Sequence, residues 1–336
     1  MGSYADGPRV TPTVDEERAY LMGAAGDLVA MNVQTGEIVW RKNYPTDYDV
    51  GVPIFGFSSA PIVRGEKLIA LVGGEPDALV VAFDRRTGEE LWRSLGVRSE
   101  PGYATPTVVE AAGREQMLIW HPLAISGLDP DSGEELWTFE YEAKDTLSVA
   151  TPVVAKDRLF LTQFYGGSLM LQLGRDEQGG YTATELWRKK GESEMPGKTD
   201  GLHSLITTPL FDGDTIWGID SYGELRALDA ATGERIWEDK TFARQGRWGA
   251  AFSVRQGDRY VAFTDTGDVV FYRVDREAYQ ELSRTHLLEP TINAGFGPRR
   301  YAEAFVHWGH PAFANRNIFV RNDEKVIAAS LAAPGE

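Results

Sequence analysis

The chain has 336 residues, 42% apolar and 25% charged, enough to bury a large core and far from the composition of a disordered chain. Fifty Asp and Glu against 34 Lys and Arg give a formal charge of −16, whose field repels nucleic-acid phosphates and anionic membranes. With no cysteine there is no disulfide, thiolate nucleophile or iron–sulfur cluster, and five His leave little for a multi-histidine metal centre.

In chain order, the start MGSYADG is too polar and too short for a signal peptide, so residues 1–10 read as a disordered or tag-like start. No apolar run thereafter reaches the length of a membrane span, so no transmembrane segment is expected. Five segments then end in Trp behind a turn: TGEIVW (Trp40), TGEELW (Trp92), SGEELW (Trp137), TATELW (Trp187) and TGERIW (Trp237). The spacings between successive Trp are 52, 45, 50 and 50 residues. About 30 residues upstream of each lies a Pro that opens a β-rich stretch: Pro12, Pro61, Pro106, Pro152 and Pro209. Between these markers the text alternates as short strands separated by Gly/Asp turns, so each unit reads as four antiparallel strands. In AFDRRTGEELW, Asp84 can accept backbone N–H groups of the turn while Gly88 supplies the left-handed residue. Asp129 with Gly133, Asp229 with Gly233, and Asn32 with Gly36 repeat the arrangement. In the fourth copy the insertion GRDEQGGYTAT predicts a longer exposed loop.

Two further units lack the Trp. In the one from Gly249, Tyr279 is placed to fill part of the missing indole volume. The one from His310 shows only three strands. Seven units of this length predict an all-β fold, a single β-propeller domain over 1–336 with blades near 11–42, 58–95, 103–141, 148–190, 204–242, 249–285 and 308–332. The incomplete seventh blade leaves two closures: a strand from upstream sequence missing here, which is favoured, or a three-stranded blade. An untrimmed chain has room for an eighth blade.

The unit A-x-D-x-x-T-G-x-x-x-W, at Ala82–Trp92 and Ala227–Trp237, resembles the pyrroloquinoline-quinone-type (PQQ-type) propeller repeat. That resemblance implies a tryptophan docking role between blades for Trp40, Trp92, Trp137, Trp187 and Trp237, and sugar stacking by these indoles is the weaker reading. The stretches HPAFANRNIFVRND and GDRYVAFTDTGDVVFYRV resemble a group of bacterial envelope proteins of planctomycete-like genomes. More distantly, the chain is similar to the lipoprotein scaffold of the outer-membrane barrel-assembly machinery. These resemblances imply a periplasmic, cell-envelope or secreted location. The quinoprotein dehydrogenases that carry the repeat use a catalytic Asp, a calcium-held quinone and often a vicinal disulfide. No Asp or Glu here aligns with the catalytic positions, and the disulfide is impossible. No catalytic residue and no cofactor is therefore assigned, and PQQ with calcium is not supported by motif residues.

Residues just ahead of each innermost strand are expected to converge on one mouth of the propeller channel. The repeat phase gives Arg9, Phe57, Tyr103, Ser148, His203, Trp248 and Trp308, with Arg247, His307 and His310 beside them. Aromatic, Arg and His side chains at one mouth suit a planar or carbohydrate-like ligand, and a plugged channel is the competing reading. Alanine at Trp248 or His203 is expected to change ligand affinity with little loss of stability. No metal site is assigned: His203, His307 and His310 are too scattered, and the acidic turns Asp129–Glu135 and Arg175–Gly180 lack calcium-loop spacing. Three long connections, Asn43–Phe57, Lys189–Leu202 and Thr285–Val306, crown the same face.

The expected function is a non-catalytic extracytoplasmic binding or scaffold propeller, a monomer that holds a protein partner or a carbohydrate or small-molecule ligand at that mouth, and not nucleic acid. The alternative is an enzyme, either a quinone-dependent oxidoreductase or one acting on a polysaccharide, using the His/Arg/aromatic cluster.

Overall fold

A computed structural model describes residues 9–293 and 305–332. The fold is an all-β propeller of seven blades. The first six are four-stranded antiparallel sheets with strands in sequence order, and the seventh has three strands, Ala312–Ala314, Asn317–Arg321 and Val326–Ser330. The chain forms two compact units that divide after Arg188. Blades 1–4 belong to the first unit and blades 5–7 to the second. Most of the tag-like start and the middle of the Thr285–Val306 connection lie outside the described residues.

Within each unit, the middle strands of a blade that has a neighbour on either side are buried on both faces. In blade 2, Ala78–Phe83 is continuously buried, which is why its text is unbroken ALVVAF rather than alternating. Outer strands are more exposed, and Val326–Ser330 alternates between exposed and half-buried residues. Within each unit the cores therefore lie between successive blades. In the first unit Tyr20, Leu28 and Trp40 of blade 1 pack with Leu68, Val81 and Phe83 of blade 2. In the second, Trp217 and Ala227 of blade 5 pack with Tyr260 and Tyr272 of blade 6.

The turn before each outer strand forms as its residues dictate. Asp84 Oδ1 accepts from the amides of Arg86 at 2.8 Å and Thr87 at 2.9 Å, and Asp129, Asp229 and Asn32 do the same in their blades. Gly88 takes φ +74°, and a Cβ there would lie 2.7 Å from the Trp40 ring of the preceding blade. The glycine is thus needed twice, for its backbone and for the indole that rests on it. Trp40 Nε1 donates to Arg85 O at 3.1 Å, Trp92 Nε1 to Asp131 O at 3.0 Å and Trp237 Nε1 to Asp275 O at 3.2 Å, each in the next blade. Trp137 departs from the pattern, donating within its own blade to Gln116 Oε1 at 2.6 Å. Tyr279 packs on Phe242 and Tyr272, with ring centroids 5.3 and 5.7 Å away.

The insertion in blade 4 does not make a longer loop. Its residues extend the third and fourth strands, Gly167–Arg175 and Tyr181–Lys189, to nine residues each, joined by a tight turn at Asp176–Gly180. Backbone pairing satisfies more N–H and C=O groups than an open loop would, and Asp176 closes the turn by accepting from the amides of Gln178 and Gly180.

Candidate functional site

Antiparallel succession places the first and third hairpins of a blade at one end, and the second hairpin with the blade-to-blade connections at the other. The predicted mouth residues all occupy this connection end, within their own units. In the first unit the Asn43–Phe57 connection starts as a short helix, Tyr44–Tyr48. Asn43 Oδ1 caps the Thr46 amide at 3.1 Å, and the Asn43 amide donates to Asp47. Tyr44 and Tyr48 point into the core, and Phe57 packs edge-on against Tyr44 at 5.3 Å. Phe57 is therefore a core residue, its amide tied to Ala24 O in the second hairpin of blade 1. Arg9 is half-buried and donates to Phe55 O. Tyr103 packs edge-on against Phe55 at 5.8 Å, and its amide bonds Ser148 O. Burial pushes the Tyr103 hydroxyl up to about 12.

In the second unit, backbone bonds run from rim residue to hairpin in sequence. Ser221 N donates to His203 O at 3.1 Å, Trp248 N to Ser221 O at 2.7 Å, Asp265 N to Ala250 O at 2.8 Å and His307 N to Asp265 O at 2.8 Å. His203 is fully buried, its amide donating to Asp220 Oδ2 at 2.8 Å. With its ring filling core volume, His203→Ala is expected to cost stability as well as to alter the rim. His307 is also buried, its Nε2 2.9 Å from Leu288 O and its ring 5.2 Å from Phe263, and burial lowers its pKa. Trp308 is half-buried, while His310 is exposed with its ring 4.1 Å from Phe252.

Trp248 is the exceptional residue. It is half-buried at φ +73°, a left-handed conformation that a bulky side chain adopts only under constraint. The constraint is visible. Trp248 and Gly249 both donate to Ser221 O, and a Cβ on Gly249 would sit 2.7 Å from Gly223. Close backbone contact thus fixes the chain on both sides of the indole. The Arg247 guanidinium lies over that ring at 4.5 Å.

Behind the rim lie two buried acid–base clusters absent from the sequence expectations. Arg226 is fully buried and pairs with Asp220, with Glu238 at 2.9 Å and with Gly201 O at 3.2 Å, while Glu224 lies 3.7 Å away. Burial raises the carboxyls of Asp220 and Glu224 against the pull of Arg226. In blade 6, Asp265 is fully buried. One oxygen meets Arg244 at 3.2 Å, and burial pushes the carboxyl up to about 6. A signal for both clusters was present. Asp220 and Asp265 share one repeat phase, in GIDSYGE and FTDTGD, and Arg226 stands where other repeats hold Val29, Val81 and Ser126. Among the described residues no three His, Asp or Glu side chains gather as a metal site.

Comparison with known proteins agrees with this architecture. The family described as outer membrane protein assembly factor BamB matches residues 5–239. The BamB of Burkholderia pseudomallei is 26% identical over 265 residues, 77% of this chain and 61% of the relative. A quinoprotein ethanol dehydrogenase of Pseudomonas aeruginosa is 25% identical over 130 residues, 35% of this chain and 20% of the enzyme. The crystal structure of BamB from Moraxella catarrhalis superposes with a TM-score of 0.64 at 18% identity, covering 96% of this chain and 85% of that one, a likeness of fold. This chain spans about 60% of the length of the curated BamB relatives. A match over most of the blades makes the assignment: the chain belongs to the BamB family of outer membrane protein assembly factors.

Proposed function

We propose that this protein is a non-catalytic scaffold of the cell envelope that holds a protein partner at the connection ends of the blades of its second unit. Trp248 carries the reading. A glycine would occupy its backbone position without strain, yet the chain keeps an indole there, half-exposed beneath an arginine. In the second unit Arg247, Trp248, Trp308 and His310 retain exposed surface for contact, while His203 and His307 hold the connections in place. In the first unit, taken by itself, Arg9 keeps exposed surface and Phe57 and Tyr103 hold the connections.

The test is titration of the purified protein with the outer-membrane barrel-assembly components of its own organism, alongside a glycan array. Trp248→Gly is expected to weaken partner binding about tenfold or more while leaving the melting temperature unchanged or higher. Unchanged affinity, or a large melting loss with affinity intact, would overturn the proposal. Glycan binding in place of protein binding would move the ligand class to carbohydrate.

The similarity to a quinoprotein dehydrogenase motivates a second reading, a quinone-dependent oxidoreductase. Among the described residues, the buried carboxylates Asp220 and Asp265 are each engaged by an arginine, which weighs against their holding a calcium. Saturable quinone absorbance together with dye reduction, on adding the quinone and calcium, would restore that reading.

A further inference from the structure

At the opposite end of the blades in the first unit, a cleft of about 150 Å³ is lined by Asp15, Glu16, Glu17, Arg18, Arg85 and Arg86. It lies between the first hairpin of blade 1 and the third hairpin of blade 2. Three acids and three arginines suggest mutual neutralisation, but their hydrogen bonds are unevenly shared.

The half-buried acceptor is saturated. Asp15 Oδ1 accepts from the amides of Glu17 at 3.0 Å and Arg18 at 2.8 Å, and Oδ2 accepts from Tyr20 Oη at 2.9 Å and Arg85 Nη1 at 2.7 Å. Burial alone would raise this carboxyl, but those bonds hold it down at about 2. With four donors on two oxygens, Asp15 has no lone pair turned to a cation. Glu16 and Glu17 are exposed.

The donors are in surplus. The Arg18 side chain is only 17% exposed, and its guanidinium makes no hydrogen bond among the described residues. Its one charge contact is Glu17 at 3.5 Å, itself 76% exposed. The Nε atoms of Arg18 and Arg85 are buried without an acceptor. Arg86, 59% exposed, reaches Glu66 at 3.1 Å beside the cleft. A buried donor left unmade costs about 1–3 kcal/mol, and a guanidinium offers several. A wholly polar cleft with spare N–H groups and a filled carboxylate selects for a ligand made of acceptors.

We propose that this cleft is a binding site for a small oxyanion of the phosphate or sulfate type, held by Arg18 and Arg86 with Arg85 fixed behind them by Asp15. The anion would take the place of the loosely held Glu17 carboxylate.

The test is isothermal titration of the intact protein with sodium phosphate and with sodium sulfate, ionic strength matched by sodium chloride. Saturable one-site binding is expected, weakened about tenfold or more by Arg18→Gln and about threefold or more by Arg86→Gln. Circular dichroism and melting of each variant report folding. Arg86 is exposed, so Arg86→Gln decides the matter if Arg18→Gln fails to fold. Heats no larger than the chloride control, or saturable binding that Arg86→Gln leaves unchanged, would overturn the proposal.

Discussion

At Asp265 burial and charge are directly opposed. Its carboxyl titrates near 6 in the folded protein against an ordinary value of 3.8. An acid whose folded value is raised favours its protonated form on folding, so its contribution to stability is greatest below pH 4 and is lost as pH climbs through 6. Asp265→Asn removes the charge and keeps the shape. It should raise the melting temperature at pH 7.5, by up to about 3 kcal/mol of stability, and the gain should vanish at pH 4. Calorimetry at the two pH values checks this. A variant less stable than the parent at pH 7.5 would mean that the Arg244 bond outweighs burial. Arg226 presents the reverse case, a buried cation that two buried carboxylates depend on. Arg226→Leu leaves Asp220 and Glu224 uncompensated and should cost about 3–5 kcal/mol in denaturant unfolding.

Among elements, the Trp-ended outer strands of blades 1, 2 and 5 and the hairpin they meet are where one blade grips the next. Trp40→Ala removes a buried indole, its bond to Arg85 O and the cover over Gly88, and should cost about 3–5 kcal/mol by denaturant titration. Gly88→Ala strains the same joint from the other side, through its left-handed backbone and a clash with the Trp40 ring. These joints were legible in the sequence because Asp, Gly and Trp recur at fixed offsets and each has a local reason to be there. The length of the blade 4 hairpin was not, since an insertion of polar residues reads alike as loop or as exposed strand. Nor was the split among the mouth residues. Repeat phase places His203, Trp248 and Trp308 at corresponding positions, but whether a side chain turns into its blade or out of it depends on neighbours distant in sequence. Asp220 fixes the backbone at His203, and the approach of Gly223 to Gly249 fixes it beside Trp248.

For the whole molecule, propeller architecture was readable from period alone, because a repeated four-stranded unit buries its faces only against copies of itself. Binding chemistry was harder to read, since it lies in residues that break the repeat, such as Arg18, Trp248 and Arg226. The charge of −16 acts globally: raising salt from about 10 to about 150 mM should raise the melting temperature by screening self-repulsion. A fall on adding salt would instead assign net stability to the surface ion pairs. The tall outer hairpin of blade 4 has a practical consequence. Its turn at Asp176–Gly180 is exposed throughout, at the tip of two nine-residue strands. An epitope or fluorophore-bearing peptide spliced between Glu177 and Gln178 should leave folding intact, giving a handle for following the protein to its address in the cell.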